Sequence, residues 1–423
     1  MYNSLTILEG GRTRRAEAGP AFSQRMQNYF KDKNVLALYP AEDSGFPMRF
    51  DPFRPYFKSL RLLNYARTSH TLGIRGAESE IRRLIAEEKI DILLCCPFAS
   101  DYQLSVEFFA SLRPSVKIIF WFFDDPIHFE SYNRYYAQAA DAVITTDHCV
   151  MSAYRRLEIP AVVCMDLTAG NKYFPVAVEK DIDVSFIGDM RKRGRQEYLD
   201  YLLKAGVDAR AYGRGSANGY LPAGKISEYF CRSRINLNFS QIGTLDWKNS
   251  DEPLLNRVRQ NTGRPREVAI TGAFCLTEYS PSLDKMFVPG EETDFFRTPE
   301  ELLEKVRFYL ANPGKREAMA RAAQARTQKD HLESAYIPRT LGALGDILAA
   351  PAPGSWPVYL SFAFKAREVN SRTFSMFVML KLLRPLAALE TFLLLFRHGP
   401  LAFLSGFPRG LARAARTALS RTG

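Results

Sequence analysis

From residue 34 onward the chain alternates short unbroken apolar runs with longer stretches whose apolar residues recur at helical spacing. The runs 35–39, 90–95, 116–123, 142–145 and 161–165 read as strands. Between them, 77–88, 104–112, 132–139 and 150–157 read as helices, the first placing Ile81, Leu84 and Ile85 on one face. A strand that is apolar throughout is covered on both sides, which is the habit of parallel sheets with helical crossovers. The pattern predicts a doubly wound α/β domain over 31–170, and the stretch 166–180, with Gly170, Asn171 and Pro175, holds neither period and reads as a connection. The alternation then restarts. Strands are expected at 183–188, 209–212, 235–239 and 273–277, with helices at 195–205, 226–231, 265–271, 300–310 and 315–329, and a last helix over 335–348 returning across both domains. The second α/β domain spans 171–350, and its long polar loop before Pro265 is of a kind that is often functional. Two such sheets on one linker are expected to face each other across a cleft, with ligands at the carboxyl ends of the strands.

Composition adds little to this until charge is divided along the chain. The 423 residues, 46% hydrophobic and 24% charged, exclude a disordered, collagenous or coiled-coil protein. Six cysteines, with no CxxC pair and no histidine at ligand spacing, suit a reducing compartment. Residues 1–30 form a polar, arginine-containing leader with no clear period and no apolar run of signal-peptide length, so export by that route is not expected. The net charge of +11 is concentrated: residues 351–423 hold ten Lys or Arg against Glu368 and Glu390. A nearly neutral body therefore carries a strongly basic tail, and the two need not share a partner.

The run Arg264-Pro265-Arg266-Glu267-Val268-Ala269-Ile270-Thr271-Gly272-Ala273-Phe274, followed by Leu276-Thr277-Glu278-Tyr279 and Phe287-Val288-Pro289-Gly290-Glu291, resembles the C-terminal signature of GT-B glycosyltransferases, of the spore-maturation-protein type. Tyr212-Gly213, Ile235-Asn236-Leu237-Asn238-Phe239-Ser240, the helix end Phe308-Tyr309-Leu310-Ala311-Asn312-Pro313, and Trp121-Phe122-Phe123-Asp124-Asp125-Pro126 agree in order, so the resemblance covers 34–340. It implies two Rossmann-like domains, a nucleotide-diphosphate sugar as co-substrate held by the second domain, and an acceptor held by the first. Many retaining members of this fold carry two glutamates seven residues apart. If Glu267 is the second, the first falls at Arg259, which is not acidic, and the stereochemical outcome stays open.

On this reading Glu267, heading a helix after Pro265, accepts hydrogen bonds from a ribose diol. As a bare residue it is equally a carboxylate stabilising a helix start. Gly188, Arg191 and Arg195, in a turn with four cations in five positions, are candidates to cradle a pyrophosphate, together with Arg264. The alternative is a solvated basic turn. Asn238 stands at a strand end where it either contacts the donor or caps a loop. Asp125 and His128 end the most apolar strand of the first domain and are the candidates for a general base on an acceptor hydroxyl; otherwise Asp125 is a helix cap and His128 a surface residue. Adjacent aspartates on a strand point to opposite sides, so no metal or other cofactor is expected.

The tail contains apolar pieces at 358–364, 374–383, 386–396 and 401–407, broken by charges and prolines, and none approaches the roughly twenty uninterrupted apolar residues of a spanning helix. Basic amphipathic helices lying on an anionic membrane surface through residues 358–421 are expected, with helices packed on the body as the alternative. The sequence thus predicts a cytoplasmic glycosyltransferase at the inner face of the plasma membrane, acting on a glycan, a lipid-linked or a protein acceptor in envelope synthesis. A non-catalytic sugar-nucleotide or glycan-binding protein, suggested by Arg259, and a nucleic-acid binder, suggested by pI 9.3, are the competing readings; no nucleic-acid partner is expected.

Overall fold

The computed structural model describes residues 5–9, 12–16, 29–41, 46–97, 101–164, 172–192, 194–241, 258–350 and 357–419. Two strands, β1 (Leu5–Glu9) and β2 (Arg12–Ala16), pair antiparallel in the segment read from sequence as a leader without elements. The second, RTRRA, has no apolar alternation, so its period could not reveal it.

Residues 34–163 form a six-stranded parallel sheet in the order β4-β3-β5-β6-β7-β8. Its strands are β3 (Asn34–Tyr39), β4 (Ser59–Asn64), β5 (Ile92–Cys95), β6 (Lys117–Phe122), β7 (Ala142–Thr145) and β8 (Ala161–Val163). Val35–Leu38 run beside Ile92–Cys95 in register, and all of these side chains are buried, as continuous apolar strands between two helical layers should be. Four helices matter here: α1 (Tyr65–Glu87), α2 (Val106–Leu112), α3 (Asp125–His128) and α4 (Met151–Arg156). The Asn64 side chain caps α1 by accepting from Arg67 N at 2.9 Å, and Gly73 interrupts its course at φ 77°, a conformation only glycine adopts without strain. The edge strand β4 escapes the sequence pattern because only Leu60 in it is fully buried.

The second sheet is five-stranded and parallel, in the order β10-β9-β11-β12-β13. It comprises β9 (Ile182–Ile187), β10 (Ala209–Tyr212), β11 (Ser233–Asn238), β12 (Cys275–Glu278) and β13 (Asp294–Phe296). Its helices are α5 (Arg195–Lys204), α6 (Ile226–Arg232), α7 (Arg264–Ile270), α8 (Pro299–Ala311) and α9 (Pro313–Arg326). In chain order both sheets run second, first, third, fourth, fifth, with a sixth strand completing the first sheet, so each has a switch point between its first and third strands, where a crevice opens at their carboxyl ends. The next helix, α10 (Glu333–Ala349), carries the chain back: its Ile337, Leu341, Leu344 and Leu348 join the core of the first sheet, and Tyr336 packs beside Val163.

The tail folds as three helices, α11 (Phe362–Lys381), α12 (Pro385–Leu394) and α13 (Pro400–Leu419). It differs from a set of helices lying free on a surface, because α11 is a post buried along much of its length. Val369, Met376 and Met379 share a core with Leu395 and Ala402, and Phe364 packs on Tyr135 at a ring separation of 4.4 Å. Helix α13 crosses α11 at Gly406 and Gly410, where a Cβ would meet Ala366 O at 2.2 Å and Asn370 O at 2.6 Å.

Candidate active site

The crevice of the second sheet is built by the turn that follows β9 and the loop that follows β11. Gly188 N donates to Tyr212 O at 2.8 Å, and Gly213, at φ 118°, lies so close that a Cβ on it would meet Gly188 O at 2.3 Å. The turns after β9 and β10 are thus held backbone to backbone. Beyond Gly188, Asp189 forms a two-pronged pair with Arg191 (Nε 3.1 Å, Nη2 2.9 Å), and this hydrogen-bonded partner holds the Asp189 carboxyl down at about 2. Arg191 is exposed and already engaged within its own turn.

Arg195 behaves differently. It opens α5 after Gly194 (φ 81°) and is 6% exposed, with its guanidinium over the rings of Phe186 and Phe239. Nη1 donates to Asp189 O at 2.9 Å and Nη2 to Gln241 O at 3.1 Å, tying together the two loops of the crevice, while Nε is buried without a partner among the described residues. Burial draws its pKa down to about 10, against the opposing charges of Glu278 and Asp189, and Arg264 is close enough to lower it further. Lys192, named within this turn in the sequence but not singled out, is half-buried within electrostatic reach of Arg195 and of Asp124 in the first domain; burial and Arg195 lower its pKa, while Asp124 and Asp189 raise it.

Arg264 and Glu267 stand on the first turn of α7. Arg264 Nη1 donates to Glu267 Oε2 at 2.6 Å, both side chains keep about a quarter of their surface, and the guanidinium covers the Phe230 ring at 5.3 Å. Tyr173, which no sequence signal marks because it lies within the aperiodic connection, hydrogen-bonds both; burial and Glu267 raise its pKa. Asn238 is 4% exposed, and its amide is engaged on both sides, donating to Thr277 Oγ1 at 2.7 Å and accepting from Thr262 at 2.8 Å. Arg259 donates to Glu278 Oε1 at 2.7 Å. The buried Glu278 also accepts from Ser240 N, Ser240 Oγ and Gln241 N, so it anchors the loop that positions Arg195.

Across the crevice, β6 ends in two aspartates with opposite surroundings. Asp124 is only partly buried and sits at φ 50°, in the left-handed region that favours glycine; non-glycine residues held there concentrate at functional sites. Gln260 of the second domain donates to it at 3.0 Å. Asp125 has no exposed surface: Asn133 and Tyr154 each donate to it at 2.8 Å, and Thr145 adds a third bond. His128 closes the same short helix, half-buried. Asp147, further along the same face, accepts from Asn261 N and from Ser282 Oγ, so the two domains are joined by bonds at the floor of the crevice. The structure thus brings Gly188, Arg195, Lys192, Arg264 and Glu267 to one switch point facing Asp124, and sets Arg191, Asn238 and Asp125 in contacts of their own. Among the described residues no group of three or more His, Cys, Asp or Glu is placed to hold a metal ion.

Burial pushes the Asp125 carboxyl up to about 6 despite its three donors, and the charge of Asp147 acts in the same direction. A carboxyl whose folded pKa lies above its unfolded value contributes stability below about pH 4 that is lost as pH rises through about 6. Asp125→Asn is therefore expected to flatten the stability profile across that window. Denaturation midpoints at a series of pH values check this, and an unchanged slope would contradict it.

Comparison with known proteins agrees with this geometry. Residues 177–337 match a family model described as glycosyl transferase-like. No protein of curated function matches the chain. Among solved structures, sucrose-phosphate synthase from Thermosynechococcus elongatus is similar over 75% of this chain and 99% of that one, at 10% identity and a TM-score of 0.54. A glycosyltransferase from Rickettsia africae matches over 76% of this chain and 100% of its own, at 10% identity and 0.55. HepE from Anabaena, in complex with UDP and glucose, matches over 75% and 99%, at 10% identity and 0.52. These likenesses are of fold, and the fold is GT-B.

Proposed function

We propose that this chain, a glycosyltransferase of GT-B fold, moves a sugar from a nucleotide-diphosphate donor seated at the β9–β11 switch point to an acceptor hydroxyl presented from the first domain. The observation that carries the reading is the convergence of Arg195, Lys192, Arg264 and Glu267 on one crevice within the matched residues 177–337. A diphosphate leaving group develops charge as the glycosidic bond breaks, and fixed cations with helix N-terminal amides stabilise it without a metal. Arg195 Nε is a buried donor with capacity to spare, and Lys192 lies on the side facing the acceptor domain. Glu267, now held by Arg264 and Tyr173, is the acceptor for a sugar diol. Asp124, rather than the enclosed Asp125, is the carboxylate within reach of an acceptor hydroxyl.

We further propose kinship with the spore-maturation-protein type, from the run 264–274, and a cytoplasmic place at an anionic membrane surface with a lipid-linked or other envelope glycan as acceptor. The basic tail supports the latter, and among the described residues no helix is long and apolar enough to cross a membrane. HepE was crystallised with UDP-glucose, which makes uridine the first base to test.

The test is thermal stabilisation by UDP-, GDP-, ADP- and TDP-linked sugars, because a ligand bound only by the folded state raises the melting temperature. One donor class is expected to stabilise the wild type. Glu267→Ala should weaken that donor about 10- to 100-fold, the range set by hydrogen bonds to a charged group. Stabilisation indifferent to the substitution would remove Glu267 from the site, and donor binding without any transfer or donor hydrolysis would favour a non-catalytic binder.

A further inference from the structure

The ten cations of the tail suggest attraction to an anionic surface, yet half of them are turned to the protein. Arg367 donates to Ser131 O, Arg372 pairs with Glu368, and Arg384 donates to His70 O and Thr71 O. Arg397 reaches Ser105 and Glu107, and Arg413 pairs with Asp101. Apart from the Arg372–Glu368 pair, which lies within α11, these contacts lock α11–α13 onto α1, α2, the loop after β5 and the turn after α3 that holds Ser131. Both tail carboxylates also face inward: Glu368 is enclosed by His398 and Arg372, and the Glu390 carboxylate lies against Gly73 of α1. The outward face is left with no tail carboxylate and an unusual number of bare apolar side chains.

That outward face is ordered. On α12 and the turn that follows it, the exposed positions Leu386, Leu389, Leu393 and Phe396 recur at intervals of three and four, one stripe of a helix, while Ala388, Thr391 and Leu395 are buried beneath. Leu383 precedes the stripe at 89% exposure and Leu386 begins it at 77%. The Phe396 ring stacks on Phe403 at 4.7 Å, and Leu401 (72%) and Leu404 (66%) of α13 continue the surface. Exposed Lys381 ends α11 just before Leu383, and exposed Arg409 and Arg416 lie on α13. Soluble proteins rarely leave a contiguous apolar ridge of this kind uncovered.

We propose that the α12–α13 ridge inserts into the interfacial layer of an anionic lipid bilayer, held there chiefly by apolar contact, with Lys381, Arg409 and Arg416 facing the headgroups. The occupant is a bilayer rather than a second copy of the chain because the ridge presents hydrocarbon and cations with no tail carboxylate to pair with those cations in a partner copy. An interfacial helix of this composition, apolar on one side and basic at its margins, suits the boundary between headgroups and acyl chains. This deepens the membrane placement given above and does not rest on the reading of the cleft.

The experiment is flotation of the full chain with vesicles of phosphatidylcholine containing phosphatidylglycerol, and with phosphatidylcholine alone. Wild type is expected to float with the mixed vesicles and to stay bound in about 0.5 M salt, where Coulomb attraction is screened within a few ångströms. Leu386→Glu/Leu393→Glu/Leu401→Glu should lose binding at least tenfold with its melting temperature and donor response unchanged, since all three positions are exposed. The milder Leu→Ala triple should fall between. Lys381→Gln/Arg409→Gln/Arg416→Gln should weaken binding to the mixed vesicles while keeping the residual binding to phosphatidylcholine. Failure of wild type to float would overturn the proposal. So would complete release by salt, unchanged flotation of the leucine variants, or a dimer in sedimentation velocity that the leucine variants dissociate. A failed donor response with intact flotation would sink the sugar-transfer reading alone.

Discussion

Lys192→Met is expected to slow sugar transfer, or donor hydrolysis where no acceptor is supplied, by about 10²–10³-fold, the usual effect of removing one fixed charge from beneath a developing anion. The substitution keeps the aliphatic stem and deletes the ammonium. Burial and the neighbouring Arg195 both disfavour the charge of Lys192 in the free protein, so its removal should leave the melting temperature unchanged or slightly higher. Loss of rate without loss of stability is the signature of a group that acts on the reaction. If the rate is unaltered, the turn after β9 does not face the leaving group and the placement of the donor is wrong.

The second large effect is on folding. Glu278→Ala is expected to cost about 3–5 kcal/mol, because it strips one carboxylate from four donors and leaves Arg259 without its buried counter-charge. Denaturant titration of wild type and variant measures it, and a cost under about 1 kcal/mol, the value of an exposed pair, would show that water reaches the site. The loss should extend to donor binding, since Gln241, whose amide is held by Glu278, supplies the carbonyl that fixes Arg195 Nη2 at 3.1 Å. Arg259→Ala should cost less, as Glu278 would keep its three other donors. The cation at 259, where many relatives of this fold are expected to carry a glutamate, thus has a structural partner in a buried glutamate on the neighbouring strand.

How far the site could be read in advance depends on the kind of information each residue needs. Strands such as β3, β5 and β6 are legible because, after the opening Asn34 and Lys117, their side chains form unbroken apolar runs, and β4 and β13 are not, because an edge strand needs only part of its surface covered. The turn carrying Arg191, Lys192 and Arg195 announces itself as basic, but the sequence ranks its members by composition alone. Arg191 closes on Asp189 two residues away, a local pairing within its own turn, whereas Lys192 feels the charge of Asp124 in the other domain. Asp124 and Asp125 present the same limit in smaller compass. Strand alternation says they diverge, and only the Asn133, Tyr154 and Thr145 side chains decide which of them is enclosed. In the tail, helix breaks at Arg384-Pro385 and at Pro400 are written in the chain, while the use of four arginines as docking bonds is not.

By itself, then, the sequence determined two parallel α/β domains, a basic helical tail and the stretch of chain in which a donor site is proposed, because those follow from periods and signatures among consecutive residues. The tertiary structure alone decided which charged groups face one another. Gln260 reaches Asp124 across 136 residues of chain, and Arg413 reaches Asp101 from the far end of the tail. Burial and Coulomb interaction depend on distance in space, and the distance between residues remote in sequence is set only once both sheets have formed and closed on each other.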